Sequence, residues 1–164
     1  MKQIEDLENY SRGIEILNNS ISNLQKEDFG LKPIADKWSI AELIIHLVDA
    51  DIVMSDRMKR IIAEDRPLLM AFNQDKWREK LFYVPEAVES SLLLFTANRL
   101  STLFILDRLS EDDFKRTGIH SEAGLITLSD TLKKAISHFD HHMKFLYEKR
   151  DALGKGIKPV YSKE

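Results

Sequence analysis

Three of the chain's five histidines lie in the segment ISHFDHHMKFLYEKR, which covers residues 136–150. A neutral imidazole can pack in a core, face solvent or bind a metal ion, so the face that each ring occupies decides its role. The sequence has no cysteine, so any metal must be held by imidazole and oxygen ligands. Disulfides and a thiol nucleophile supplied by the protein are excluded for the same reason.

The apolar residues around these histidines repeat with a helical period, forming a stripe centred near Phe139 that contains Leu132, Ala135, Ile136, Phe139, Met143 and Leu146. At about 100° per residue, His142 lies about 60° from the centre of the stripe, and His138 lies about 100° from it on the same side. His141 lies about 160° away and is expected to face solvent. The i,i+4 pair His138 and His142 can therefore present two nitrogens to one ion.

A third ligand is expected from His46 on another helix. It borders an apolar stripe of Ile40, Leu43, Leu47, Met54, Met58 and Ile61. Three neutral imidazoles suit zinc, nickel, iron or cobalt and leave a coordination position for water or substrate, as catalytic sites do. The competing interpretation is that each histidine is a packed, hydrogen-bonded residue beside the core.

The residues next to these histidines limit the chemistry. Phe139 stands where a zinc protease of the His-Glu-x-x-His type has its general base, so that mechanism is not expected. Asp140 projects away from the histidine pair and is predicted to be a surface charge. Glu42, one turn before His46, can either orient the free ring nitrogen of His46 or complete a capping box with Ser39. The tryptophans at 38 and 77 are expected to be core or staple residues.

Four long helices account for most of the chain, with few glycines and prolines between them. We predict helices over residues 3–26, 40–64, 85–109 and 127–153, with Ser39 and Thr127 as N-caps and a shorter helix near NQDKWREKL. No segment alternates as a strand does, so at most a short pairing within the loop at 110–126 is expected. The predicted fold is all-α, an antiparallel four-helix bundle.

Composition agrees with a soluble globular protein. The 164 residues are most simply one domain, 1–164, with 43% hydrophobic and 31% charged residues and a net charge of −3. No basic stripe suited to nucleic acid is present, and neither a signal sequence nor a membrane span is evident. We therefore expect a cytoplasmic protein whose partner is a small-molecule substrate, with no nucleic acid and no membrane.

Two segments together resemble the DinB/YfiT superfamily of bacterial proteins. They are KWSIAELIIHLVDAD at residues 37–51 and GIHSEAGLITLSDTLKKAISHFDHHMKFL at residues 118–146. The resemblance implies a four-helix bundle, often a homodimer, with His46, His138 and His142 as ligands of a divalent transition metal, foremost zinc or nickel. His120 opens the His-x-x-x-Gly-x-x-Thr loop and is a candidate for the mouth of the site.

The resemblance leaves the reaction open. Some relatives are thiol-dependent transferases, so the first hypothesis is an S-transferase that activates a low-molecular-weight thiol such as bacillithiol towards small electrophiles. The second is a metal-dependent hydrolase, and in both cases the nucleophile would be a metal-bound thiol or water. A third hypothesis, from a different class, is a non-catalytic metal-binding or stress-response protein, and a metal-free helical interaction domain is a fourth.

Overall fold

A computed structural model describes residues 2–162 of the chain. The described part contains six α-helices: α1 Lys2–Ser20, α2 Lys26–Gly30, α3 Ile40–Ala63, α4 Gln74–Lys80, α5 Val88–Leu106 and α6 Leu128–Ala152. It also contains three short strands, β1 Leu68–Leu69, β2 Thr117–His120 and β3 Gly124–Thr127, and 3-10 turns at Pro85–Ala87 and Asp113–Lys115. The predicted all-α fold and the predicted four-helix bundle are confirmed, with α1, α3, α5 and α6 as the four long helices.

Both predicted N-caps are present. The Ser39 hydroxyl accepts from the backbone N–H of Glu42, and a Glu42 carboxylate oxygen accepts from the backbone N–H of Ser39 at 2.7 Å. Thr127 and Asp130 form the same reciprocal pair at the start of α6. These capping boxes satisfy N–H groups that have no partner within the helix. They therefore set where the two histidine-bearing helices begin.

The first helix ends earlier than predicted, at Ser20 rather than near residue 26. The Arg150 guanidinium reaches across from α6 and donates to the carbonyl oxygens of Ser20 at 2.7 Å and Ser22 at 2.8 Å. Asn23 then adopts a left-handed backbone conformation with a φ of 63°. The carbonyls at the end of α1 are thus satisfied by a side chain distant in sequence, which local periodicity could not reveal.

The four long helices occupy the corners of a square. Helix α1 packs on α5 and α6, and helix α3 also packs on α5 and α6. One core cluster joins the ends of α1 and α6 to the starts of α3 and α5, and includes Ile16, Leu17, Leu43, Leu47, Val88, Met143 and Leu146. The other joins the opposite ends, and includes Tyr10, Met58, Ile61, Leu106, Leu128 and Leu132. Helices α1 and α6 therefore run in one direction, and α3 and α5 run in the other.

This arrangement makes α3 and α6 antiparallel neighbours. If the four long helices followed one another around the square in chain order, α3 and α6 would lie diagonally opposite each other. They would then be too far apart to share a small site. The long connection between the parallel helices α3 and α5, residues 64–87, carries the chain back along the bundle. The topology thus brings the two histidine-bearing helices into direct contact.

A small sheet covers the end of α3. Strand β1 pairs in parallel with β2, and β2 pairs with β3 in an antiparallel hairpin that leads into α6. Gly118 faces Ile61 and Leu69 so closely that a Cβ there would lie 2.7 Å from a Leu69 methyl carbon. The Arg116 side chain ties the hairpin to α3 through the carbonyl oxygens of Ile61 and Glu64. The expected pairing within the loop is present, and β1 adds a strand that the sequence did not predict.

Among residues 2–162, no helix combines the length and the apolar character that a membrane span requires.

Candidate metal centre

The structure brings His46 of α3 together with His138 and His142 of α6. The Nε2 atoms of His46 and His142 are 3.3 Å apart, and those of His142 and His138 are 3.1 Å apart. Each ring offers one nitrogen to a group whose ligand atoms all lie within 4.8 Å of one another. In the described part of the chain, this is the one such cluster of three or more histidine and acidic side chains.

Burial keeps all three imidazoles neutral at physiological pH. The His46 ring is fully buried and the other two are partly buried. Loss of hydration lowers the pKa of His46 to about 4 and that of His138 to about 4, and the neighbouring histidines lower both further. The pKa of His142 falls to about 3 for the same reasons. A neutral ring has a free lone pair on one nitrogen, which is the form that binds a metal ion.

The spacing of the three nitrogens fits one divalent ion. Nitrogens bound to one zinc ion at about 2.0–2.1 Å, in tetrahedral geometry, lie about 3.3 Å apart. The two separations in the cluster, 3.3 Å and 3.1 Å, are close to this value. Since the cluster contains imidazoles and no carboxylate, a bound ion would keep its full charge and at least one coordination position for another ligand.

Aromatic rings pack against the His46 side of the cluster. The Trp38 ring contacts His46 edge-on with 5.2 Å between centroids, and the Phe72 ring stacks on His46 at 6.2 Å. Trp77 packs on Phe72 at 4.8 Å. Both tryptophans, expected from the sequence to be core or staple residues, are partly buried. Trp38 contacts His46 directly, and Trp77 packs on Phe72. The surface that these rings form against His46 is therefore aromatic and apolar.

Glu42 does not orient His46. One of its oxygens accepts from Arg78 at 3.0 Å, and the other accepts from the Ser39 backbone and lies 3.4 Å from the Lys32 ammonium. The Nδ1 atom of His46 is buried and has no hydrogen-bond partner. Burial disfavours the carboxylate of Glu42, but its hydrogen bonds from Ser39 and Arg78 lower its pKa. Because capping holds the carboxylate at the end of the helix, the structure agrees with the capping alternative and shows no hydrogen bond between Glu42 and His46.

The other predicted polar residues lie outside the cluster. His141 is exposed, as predicted, and its ring contacts Phe145 at 4.8 Å. Asp140 is partly buried rather than freely solvated, because it accepts hydrogen bonds from the backbone and hydroxyl of Ser162. His120 lies at the end of β2, where its Nδ1 accepts from the N–H groups of Glu122 and Ala123 at 3.2 Å. It does not join the three-histidine cluster.

Sequence reasoning did not find Phe72 or Arg78. Phe72 lies between two short elements and carries no periodic signal, and Arg78 belongs to the short helix α4, for which no site residue was predicted. Arg78 lies over the Trp38 ring, 5.4 Å from its centroid, and also binds Glu42. The sequence feature that could have indicated these two residues is the concentration of aromatic and basic residues in the segment AFNQDKWREKL.

The fold and the site together define a helical bundle with a partly buried cluster of three histidines, one from α3 and two from α6. The sequence profile of the DinB superfamily matches residues 9–146, most of the chain. The protein belongs to the DinB superfamily, as the sequence resemblance predicted.

Two relatives come from Oceanobacillus iheyensis, and each bears the name "Putative metal-dependent hydrolase". One is 24% identical over 147 residues, spanning 85% of this chain and 83% of the relative. The other is 27% identical over 143 residues, spanning 87% of this chain and 79% of the relative. The similarity thus extends along about four fifths of each relative.

Two solved structures share the fold. YfiT from Bacillus subtilis, described as "a probable metal-dependent hydrolase with an unusual four-helix bundle topology", superposes with a TM-score of 0.85 at 19% identity, over 93% of this chain and 87% of YfiT. The DinB-like protein YjoA from Bacillus subtilis gives a TM-score of 0.68 at 17% identity, over 98% of this chain and 99% of YjoA. At these identities the likeness establishes the fold alone.

Proposed function

We propose that this protein is a metal-dependent enzyme in which His46, His138 and His142 hold one divalent transition ion, zinc or nickel, beside an open substrate site. The observation that carries the proposal is the convergence of three neutral Nε2 atoms with separations of 3.1 and 3.3 Å. The names of the relatives, which refer to metal dependence, support it. A divalent ion held there would supply Lewis acidity, lowering the pKa of a thiol or water that binds to it.

Thiol transfer is the reaction that the surroundings of the cluster favour. The cluster contains no carboxylate, and Glu42 is engaged by Ser39 and Arg78, so among residues 2–162 neither the cluster nor Glu42 supplies a free carboxylate as a general base. A thiol has an ordinary pKa of about 8.5 and needs far less assistance to lose its proton than water does. The chain has no cysteine, so the thiol would be an external small molecule such as bacillithiol.

In this reaction the thiol loses its proton to solvent, and its sulfur forms a bond to an electrophilic carbon. The leaving group departs with the electron pair of the bond that breaks. The protein's contribution is positional: the three histidines fix the point where the sulfur sits, and the rings of Trp38, Phe72 and Trp77 exclude water from one side.

Hydrolysis is the second candidate, and the names of the relatives favour it. The two reactions are separated by measuring both rates on one zinc-loaded or nickel-loaded sample, with bacillithiol and chlorodinitrobenzene for transfer and nitrophenyl acetate for hydrolysis. Metal-dependent conjugation above the uncatalysed rate supports transfer, and ester cleavage without thiol supports hydrolysis. If neither activity is found, and the absorption spectrum of the cobalt-substituted protein does not change when thiol or azide is added, the protein is a non-catalytic metal-binding protein.

We also propose that the protein acts as a homodimer formed along α5. Its outward face is a stripe of apolar side chains with large exposed fractions, 68% for Leu93, 56% for Leu100 and 62% for Phe104. These residues follow helical spacing, so one partner helix can cover them together. A second copy suits the stripe because the same apolar face would meet itself across a two-fold axis. Light scattering should give a dimer for the wild type and a monomer for Leu100→Glu, while an unchanged dimer in the variant would contradict this interface.

A further inference from the structure

Arg57 is a buried cation without an anionic partner. Its side chain lies in α3 with 7% of the residue exposed, and none of the ion pairs in the described part of the chain involves it. One terminal nitrogen donates to the carbonyl oxygen of Met70 at 2.6 Å, and the other contacts the sulfur of Met54 at 3.7 Å. The Nε–H group is buried and has no acceptor. Burial of a charge without a counter-charge is costly, so such a group in a native protein calls for an explanation.

Arg57 lies on the same face of α3 as His46. The two positions differ by about 20° around the helix and by about 16 Å along it. The Arg57 side chain extends back towards His46, since its guanidinium contacts Met54, one turn nearer to the cluster. A free donor and the metal cluster therefore lie along one face, separated by roughly the length of a small organic molecule.

The segment Met70–Phe72 connects the two ends of this face. The carbonyl oxygen of Met70 accepts from Arg57, and the ring of Phe72 stacks on His46. The backbone N–H of Ala71 donates to the hydroxyl of Ser121, which places the tip of the β2–β3 hairpin against the same segment. The segment thus forms a wall that runs from the guanidinium to the imidazole cluster.

A second donor lies near the guanidinium. The Nδ1 atom of His120 accepts two backbone N–H groups, so in the neutral ring Nε2 carries the proton and is a donor. Burial lowers the pKa of His120, and the charge of Arg57 lowers it further.

The acidic groups near Arg57 do not neutralise it. Asp56 is bonded to Arg60 at 2.8 Å, on the exposed side of α3. Glu122 is exposed and makes no ion pair with Arg57 within 4.0 Å. The pKa of Arg57 is lowered by burial, which Asp56 and Glu122 only partly offset. An anion from outside the protein is the partner that would satisfy the free Nε–H.

We infer that Arg57, assisted by His120, binds a carboxylate group carried by the substrate while the reacting end of the same molecule lies at the three-histidine cluster. This inference rests on the proposed function, because it takes the cluster as the reacting end. It makes Arg57 the specificity-determining residue and names the substrate class as small organic acids with an apolar chain between the carboxylate and the reacting group. Apolar side chains lie at both ends of this face, where Met54 contacts the guanidinium and Phe72 stacks on His46.

The test uses cobalt-substituted protein and straight-chain mercaptocarboxylic acids, from mercaptopropionate to mercaptooctanoate, each paired with its amide. Binding of the thiol to cobalt is followed by the charge-transfer absorption. In the wild type we expect one chain length to bind at least about tenfold more tightly than its amide, the size of effect typical of a charged hydrogen bond. In Arg57→Met the acid and the amide should bind equally, while the amide keeps its wild-type affinity. Arg60→Met, on the exposed side of α3, should retain the wild-type preference.

The outcomes separate the inference from the proposed function. If acid and amide bind equally to the wild type at every chain length, the inference is wrong and the metal site stands. If Arg57→Met weakens acid and amide together with their ratio unchanged, Arg57 only supports the Met70–Phe72 segment and the inference is again wrong. Failure of the protein to bind cobalt at all would overturn the proposed function. His120→Ala provides a second variant, in which the preference for the acid should fall while amide binding stays the same.

Discussion

Arg99 donates from Nε to Asp51 at 2.9 Å inside the bundle, where the two side chains are 1% and 3% exposed. The other oxygen of Asp51 accepts from Asn98 at 2.8 Å and from the Tyr10 hydroxyl at 3.4 Å. Arg99 also donates to the backbone carbonyl of Tyr10 at 2.7 Å. One buried ion pair therefore fixes α1, α3 and α5 relative to one another, about one turn of α3 beyond His46.

Removing one member of this pair should be strongly destabilising. In Asp51→Asn or Arg99→Met a buried charge is left without its partner, and each variant should lose about 3–5 kcal/mol in the free energy of unfolding. The double variant should lose less than the sum of the two single losses, because no charge remains unpaired. Urea denaturation of the wild type, the two single variants and the double variant measures the coupling energy between Asp51 and Arg99.

The exposed pair Asp56 and Arg60 is the matched control for the buried pair. Its nitrogen-to-oxygen distance is 2.8 Å, but both side chains are about half exposed. Water screens this pair, so Asp56→Asn and Arg60→Met should each change the free energy of unfolding by less than about 1 kcal/mol. If both pairs show the same loss in the free energy of unfolding, burial does not raise the cost of breaking the Asp51–Arg99 ion pair.

Gly13 on α1 makes room for the same guanidinium. A Cβ atom at this position would overlap Nη1 of Arg99 and lie 2.9 Å from its Cζ. Gly13→Ala must therefore displace Arg99 from Asp51 and Tyr10, and we expect a loss of about 3 kcal/mol or more, although alanine favours a helix more than glycine does. Thermal and urea unfolding of the metal-free protein measure this loss.

Two further variants identify the cause of that loss. Ser11→Ala is the control on the exposed face of α1 and should have little effect on stability. In the Arg99→Met background, Gly13→Ala should cost much less than it does in the wild type, because the overlapping guanidinium is gone. A loss of the same size in both backgrounds would mean that Arg99 is not the reason for the glycine.

The three-histidine cluster was accessible to sequence reasoning because it depends on helical periodicity. The angular positions of His138 and His142 relative to the Phe139 stripe placed them beside the core together, and His46 bordered its own stripe in the same way. Contact between α3 and α6 follows from the order of the helices around the bundle, which periodicity does not encode. For that step the resemblance to the superfamily was needed.

The buried charges were not predicted for a different reason. Arg57, Asp51 and Arg99 occur in predicted helices, where a charged residue is normally assigned to the solvated face. Their burial depends on partners that are 13 to 89 residues away along the chain. Local patterns carry no signal for such pairs, so only the assembled bundle reveals them.

The amount of metal bound by the protein should depend on the three cluster histidines. The purified wild type is expected to contain about one transition metal ion per chain, and His46→Ala, His138→Ala and His142→Ala should each lose it, since two imidazoles bind an ion far less tightly than three. Mass spectrometry of the metals, with added zinc and nickel, measures the occupancy. Adding zinc should also raise the melting temperature of the wild type, because the ion binds the folded state.

His141→Ala is the matched control within the same segment, since its ring is exposed and outside the cluster. This variant should retain metal and show the same rise in melting temperature with zinc as the wild type. A wild type that is free of metal and refuses both zinc and nickel would contradict the proposed site, and the short nitrogen separations would then represent hydrogen bonds between the rings.

The stability of the metal-free protein should fall as the solution becomes acidic. The pKa values of the cluster histidines in the folded chain are about 4 for His46, about 4 for His138 and about 3 for His142. In the unfolded chain a histidine has a pKa of about 6.5. Between about pH 6.5 and pH 4 the unfolded state therefore binds more protons, so the free energy of unfolding decreases as pH falls through this window and is insensitive to these groups above it.

Comparing chelator-treated wild type with His138→Leu isolates the contribution of His138 to the pH dependence of the free energy of unfolding. Leucine keeps the site apolar but cannot take up a proton, so the variant should lose less stability than the wild type between pH 7 and pH 4.5. Urea unfolding at a series of pH values gives both curves, and acidic side chains common to the two proteins cancel in their difference. Parallel curves would mean that His138 takes up its proton as readily in the folded chain as in the unfolded one, which would contradict a neutral, metal-ready imidazole at that position.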